Sequence, residues 1–354
     1  MSKLILFGAT ALEYYAHVLS RPANAIALGA TDDPSTLAAL APLASGTAHI
    51  GACFPYLTAP YHVTVFSERE RRQKVARCHV APRSLRAAPF FPIAHGIYAP
   101  SPELALLESS RGRAIPEVAY EGALLCGTFA LSENGGAARS APLATIKHLE
   151  QATRMYADVP GRKTLRAALP WILPATASPR EAALALALTL PTCWGGCGLP
   201  QPRINYRIDI SARGKNLAQR RYYVADLCWP DRRIAVEYDS DEFHLSSHQH
   251  YLDTMKRTTL EEMGYRVITV TRQQLSAPSE FEKVAVVVAK ALRRPLRIRT
   301  QDFHARQRAL WRTLRLSFAV SEPDERTFSS SPEMAHSPRE PNQCFKTHLR
   351  RKMA

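Results

Sequence analysis

The sequence predicts a mixed α/β (α+β) fold: a central mixed sheet flanked by helices in the carboxy-terminal half, preceded by a smaller α+β region. Three observations carry this. An apolar fraction of 46% over 354 residues supplies ample material for a core. The runs Ser101-Pro102-Glu103 and Ser178-Pro179-Arg180-Glu181 carry the serine cap, first-turn proline and early acid of a helix start. From residue 178 onward the pattern reads helix, three strands, helix, strand, helix, an order that implies a mixed sheet covered by helices.

In the amino-terminal half, residues 1–150, Tyr61–Phe66 reads as a strand, and after a charged turn Val75–Val80 reads as a second, so a hairpin-like pair is expected. A helix starts at Ser101-Pro102-Glu103 and runs through Leu104, Leu106 and Leu107. Ser132–Pro142, with Gly135-Gly136, reads as an exposed loop or the turn between helices. Residues 151–177 form a helical linker. The segment 178–293 begins with an Ala/Leu-rich helix ending at Pro191. Strands follow at Asn205–Ile210, Arg221–Leu227 and Arg233–Asp239, then a polar helix over about 247–263. Gly264 stands where a helix C-terminal glycine belongs. A strand at Tyr265–Thr271 and a helix at Ser279–Leu292 complete the unit. Residues 294–354 form a basic, partly disordered tail: a helix is expected over Asp302–Leu316, whereas Ser321–Pro341 is Ser/Pro/Glu-rich.

Forty-six Lys and Arg against 31 Asp and Glu give a net charge of +15, and a polyanionic partner, most commonly nucleic acid, is the natural reading. No apolar run is long enough to span a bilayer, and Leu4-Ile5-Leu6-Phe7 is too short and too soon followed by Glu13 for a signal peptide, so a cytoplasmic protein without membrane partners is expected. Seven scattered cysteines suggest free thiols in a reducing compartment. Cys193 and Cys197 lack the second pair that structural zinc needs, so a glycine-rich turn is the better reading of that C-x3-C.

The chemistry concentrates between Tyr222 and Leu275. Asp226 closes the apolar run Tyr223-Val224-Ala225, and Glu237 and Asp239 close Ile234-Ala235-Val236. Alternation on a strand turns Glu237 and Asp239 to one face. If the two strands pair, three carboxylates converge at one sheet edge. Their mutual repulsion is ordinarily relieved by a bound divalent cation, which points to metal-dependent hydrolysis.

In order and spacing these residues resemble the PD-(D/E)XK restriction-endonuclease-like superfamily. Within it, Ala225-Asp226-Leu227-Cys228-Trp229-Pro230 followed by Ile234-Ala235-Val236-Glu237-Tyr238-Asp239 looks like the very-short-patch-repair-like branch of unknown function. His244 supplies that branch's nearby histidine. Asp253, Lys256, Leu260 and Gly264 fall at its usual spacing on the next helix, and Glu181 stands where it places an acid on its first helix. The upstream strand His62-Val63-Thr64-Val65 and helix start Ser101–Leu107 are similar, more weakly, to amino-terminal regions related to type IV antitoxins.

The resemblance implies a restriction-endonuclease-like core that hydrolyses phosphodiester bonds with Mg²⁺, or Mn²⁺ in its place. Asp226 and Glu237 would hold the metal, Glu181 would orient a water or second ion, and His244 would act as general base or leaving-group acid. Two departures stand out: Asp239 occupies the superfamily's lysine position, and Ser240 replaces the branch's glycine. Lys256 and Arg257 are the substitute cations, and alternatively phosphate contacts or a solvated helix face. His248 and His250 read as surface residues. Two functions follow. One is a Mg²⁺-dependent DNA endonuclease or nickase serving defence or repair. The alternative is a non-catalytic, antitoxin-like nucleic-acid-binding regulator with a toxin or other protein partner.

Overall fold

The computed structural model describes residues 4–18, 26–27, 43–71, 76–131, 137–218, 220–239 and 247–316. The described residues build two mixed sheets flanked by helices, with one small two-stranded hairpin besides. The first has six strands in the order β2-β5-β6-β1-β3-β4. These are β1 (Leu4–Leu6), β2 (Ile26–Ala27), β3 (His62–Val65), β4 (Arg77–Val80), β5 (Pro89–Ala94) and β6 (Ile97–Pro100). The short apolar run at the start of the chain becomes β1, a buried strand between β6 and β3.

Helices α1 (Gly8–Tyr15) and α3 (Pro102–Ser109) pack closely on one another, and α2 (Leu43–Cys53) lies between them in sequence. Gly8 makes the approach feasible. Its φ is +41°, and a Cβ there would stand 3.1 Å from the Ser109 nitrogen. The Gly8 N–H donates to Glu108 Oε2 at 3.0 Å. Burial pushes the Glu108 carboxyl up to about 8, and its Oε1 is buried without a hydrogen-bond partner.

Helices α4 (Ile115–Leu125), α5 (Ile146–Met155) and α6 (Arg162–Ala168) follow, with the small hairpin β7 (Phe129–Leu131) and β8 (Ala137–Arg139) after α4. Next is α7 (Pro179–Thr189), in which every residue from Ala182 to Leu188 has zero exposure. A helix apolar all round belongs inside the core, and α7 lies against both α4 and the second sheet.

That sheet runs β12-β11-β10-β9: β9 (Arg203–Asp209), β10 (Tyr222–Trp229), β11 (Ile234–Asp239) and β12 (Arg266–Thr271). β9, β10 and β11 are antiparallel, while β11 and β12 are parallel. The crossover between the last two is α8 (Ser247–Glu262), which ends at Gly264 with φ +83°. Leu227, Trp229, Ile234 and Val236 face the main core, whereas Cys228 and Ala235 lie with Leu260 and Met263 of the α8 side in a small second cluster. The short α9 (Arg272–Ser276), then α10 (Pro278–Ala291) and α11 (Phe303–Thr313), close the structure. Trp311 is buried edge-on against Phe281 and donates to the Leu275 carbonyl at 2.9 Å. One apolar core runs unbroken from β1 to α11, because α5 and α6 pack on α3 and α4, and α4 in turn meets α7 and α11.

Four local expectations are corrected. β3 and β4 are parallel neighbours. The Phe66–Ala76 connection approaches the length of about a dozen residues that a crossover uses, whereas hairpin loops take about two to five. The glycine pair after residue 131 falls between the strands of a hairpin, not between helices, although residues 132–136 themselves lie outside the described residues. The Ser101 side chain makes no capping bond, so Pro102 and the first-turn acid Glu103 mark that helix start. Cys193 is disulfide-bonded, while Cys53, Cys78, Cys126, Cys197 and Cys228 are free thiols. Gly195, with φ +86°, closes the turn after Cys193 as the sequence suggests. No helix among the described residues is long and apolar enough to cross a membrane. Ser321–Pro341 and the basic chain end lie outside the described residues.

Candidate active site

The β10–β11 hairpin brings the two isolated acids together. Its ladder pairs Trp229 with Ile234, Cys228 with Ala235 and Leu227 with Val236. One step beyond stand Asp226 and Glu237, neighbours across the strands. At that step the ladder opens, and Asp226 Oδ2 accepts the Tyr238 N–H at 2.7 Å. A carboxylate thus takes a bond that a strand carbonyl would otherwise receive.

The opening has a cause on the next strand. Asn205, flanked by the pairs Ala225–Tyr206 and Leu227–Ile204, has a φ of +45°. Asparagine tolerates the left-handed region better than β-branched residues do. At this point the strands exchange faces. Tyr206, Ile208, Tyr223 and Ala225 pack into the cluster under α8, whereas Ile204, Leu227 and Trp229 pack into the main core. Asp226 therefore sits at the seam of two cores.

Two like charges opposite one another in a sheet destabilise it, the more so when buried. Burial raises Asp226 well above the usual carboxylate range. Glu237 and Glu181 push it further, against the Tyr238 N–H and Lys256. Glu237 is also raised, by burial first, although Lys256 opposes the shift. Lys256 Nζ lies 2.8 Å from Glu237 Oε2. The cation beside Glu237 thus comes from α8. Arg257 Nη2 donates to Thr269 Oγ1, directly across from Glu237 on β12. A cavity of about 140 Å³ opens here, lined by Glu237, Asp239, Asp253, Lys256, Arg257 and Thr269 among others.

Glu181 is buried nearby and is engaged in capping. Its carboxylate accepts the Ala177 N–H at 2.8 Å, the Ser178 hydroxyl at 3.0 Å and the Asn205 amide at 3.3 Å. The Ser178 hydroxyl in turn accepts the Glu181 N–H at 3.2 Å, a reciprocal box that fixes the start of α7. Asp239 lines the same cavity as Glu237, and Tyr238 between them lines it too. His244 lies outside the described residues, and of the side chains of His248 and His250 nothing is described.

A divalent cation fits this donor set in one specific respect. Glu237 Oε1 is buried with no hydrogen-bond partner, an oxygen whose desolvation a ligand would offset. Among the described residues no three His, Cys, Asp or Glu side chains come close enough to hold an ion by themselves. The two carboxylates Asp226 and Glu237 are the residues that would hold such an ion. Sequence reasoning missed Asn205. Its available signal was an asparagine inside an otherwise β-forming run.

Comparison with known proteins adds little. No family model and no solved structure matches the chain. Two uncharacterized proteins of Mycobacterium tuberculosis, from strains CDC 1551 / Oshkosh and ATCC 25618 / H37Rv, are each 30% identical over 73 residues. Those residues are 21% of this chain and 24% of each relative, so the chain matches about a quarter of the length of these curated relatives.

Proposed function

We propose that the protein is a divalent-cation-dependent nuclease hydrolysing phosphodiester bonds in DNA, built on a restriction-endonuclease-like core. The observation that carries this reading is the buried Asp226–Glu237 pair, with one orphaned carboxylate oxygen and Lys256 at 2.8 Å from the other. Asp226 and Glu237 would hold Mg²⁺ or Mn²⁺. The ion would supply polarisation of a phosphoryl oxygen and a lowered pKa of bound water. The chain's own groups do the rest. The Tyr238 N–H fixes Asp226, the Glu237 carboxylate fixes the Lys256 ammonium, and that ammonium faces a cavity where phosphoryl charge could be stabilised. His244, carried from sequence alone, is the proposed proton donor or acceptor.

The test is nicking of supercoiled plasmid with Mg²⁺ by the full chain and by Asp226→Ala and Glu237→Ala. Both variants are expected to lose at least about 100-fold in rate, since each removes several kcal/mol of charge stabilisation. Equal activity of all three proteins would sink the assignment.

One observation favours a second reading, a binding-only regulator. Lys256 already neutralises Glu237, so an ammonium holds the place a cation would take. Calorimetric titration with Mn²⁺ separates the two: the nuclease takes up the ion with a heat lost in Asp226→Ala, and the regulator shows no carboxylate-dependent heat.

A further inference from the structure

The tip of the β9–β10 hairpin carries a group of residues that the acid pair does not use. Arg207 lies over the Tyr222 ring, its guanidinium carbon 4.0 Å from the ring centroid. Asp209 grips the same guanidinium at 2.7 Å, which holds it in place over the ring. Tyr222 is 42% exposed, unusual for so large a ring. Its neighbours explain why. Ile208 and Tyr223 turn inward under α8, so alternation turns Arg207 and Tyr222 outward.

Along the segment that joins β9 to β10 the charge is one-sided. Arg213, Lys215, Arg220 and Arg221 are all exposed, and Asp209 is the one acid between residues 207 and 222. The tip is also anchored. Gly214 is buried against α8, where a Cβ would stand 2.9 Å from Met263 Sδ. A second pair of the same kind, Arg203 over Tyr206 at 5.4 Å, occupies the other end of β9.

We propose that this hairpin tip is a stacking platform for an unpaired stretch of DNA. Tyr222 and Arg207 hold a base, and the four cations of the connecting segment hold the phosphates of the strand. An exposed aromatic ring beside a guanidinium, set in basic surface, suits bases whose faces are free. In a duplex those faces are stacked on one another and only phosphates remain to be met. The inference rests on the nuclease reading for its consequence. Tyr222 precedes Asp226 by four strand residues, roughly 13 Å, so the substrate would be single-stranded within a few nucleotides of the bond cut.

The experiment is fluorescence anisotropy of the full chain with a dye-labelled single-stranded oligodeoxynucleotide and with the same sequence as a duplex, in EDTA. Tyr222→Ala is expected to weaken single-strand binding about 10-fold, the scale of one lost base stack, and duplex binding less than about twofold. Tyr222→Phe should retain the wild-type affinity for the single strand, which excludes a folding defect. Unchanged single-strand binding by Tyr222→Ala, or equal losses on both substrates, would overturn the proposal. No ion is present, so the outcome is independent of cleavage. A chain that nicks plasmid but ignores Tyr222→Ala refutes the platform alone. A chain that shows the Tyr222 effect but never cleaves refutes the nuclease alone.

Discussion

Asp226 is held in place by a strand N–H and held against its own charge. Burial and the facing Glu237 both raise it, so a proton bound at this site is favoured by folding. The sign follows directly. A carboxyl whose folded pKa lies above its unfolded value stabilises the fold least once both states are ionised. Stability from this site therefore falls as pH rises from the ordinary carboxylate range through the raised value. Asp226→Asn keeps an acceptor for the Tyr238 N–H and removes the charge. Without divalent ions it should melt higher than wild type at neutral pH, by about 1 kcal/mol, a gain typical of relieving functional-site strain. The difference should vanish in acid. Added Mn²⁺ should raise the wild-type melting temperature and leave Asp226→Asn unmoved, as measured by scanning calorimetry. A wild type indifferent to Mn²⁺ would contradict the two-carboxylate site.

At the scale of the element, α7 shows what the sequence could and could not tell. Its start is legible because Ser178, Pro179 and Glu181 each do a local job, and all three do it in the structure. The end of β11 is legible for the same local reason, an acid closing the apolar run, whereas Asp226 lies inside β10, which continues through Leu227, Cys228 and Trp229. Gly264 was readable as the end of α8 because only a residue without Cβ is comfortable at φ +83°. The parallel course of β4 beside β3 was not readable, since a period of two carries no strand direction. Nor was the ion pair of Lys256, because the distance between α8 and β11 is a matter of tertiary packing. Sequence also offered Glu181 as a catalytic acid, but could not show that its oxygens accept from Ala177, Ser178 and Asn205. The energetic centre of α7 is its leucines. Leu186→Ala should lower the unfolding free energy by about 2–5 kcal/mol in urea, as fully buried leucines do. A loss below about 0.5 kcal/mol, the range of surface substitutions, would place α7 elsewhere than in the core.

At the scale of the molecule, the continuity of the core matters more than the segment boundaries that composition suggests. α7 touches both α4 and β11, and Trp311 of α11 is bonded to Leu275 and packed edge-on against Phe281. A fragment of residues 178–293 would keep β11 but strip α4 from α7, and α11 from Leu275 and Phe281. It is expected to lose the near-ultraviolet circular dichroism of a packed core, while the full chain melts in one transition seen alike by near- and far-ultraviolet signals. A fragment that melts cooperatively by itself would show the carboxy-terminal half to be autonomous. Glu108 adds a different consequence. With its carboxyl near 8, it stays protonated at pH 7 in the fold and ionises when the chain opens. The formal +15 counts every acid as charged, so the native molecule is more positive than its composition, and denaturation acidifies the solution around it.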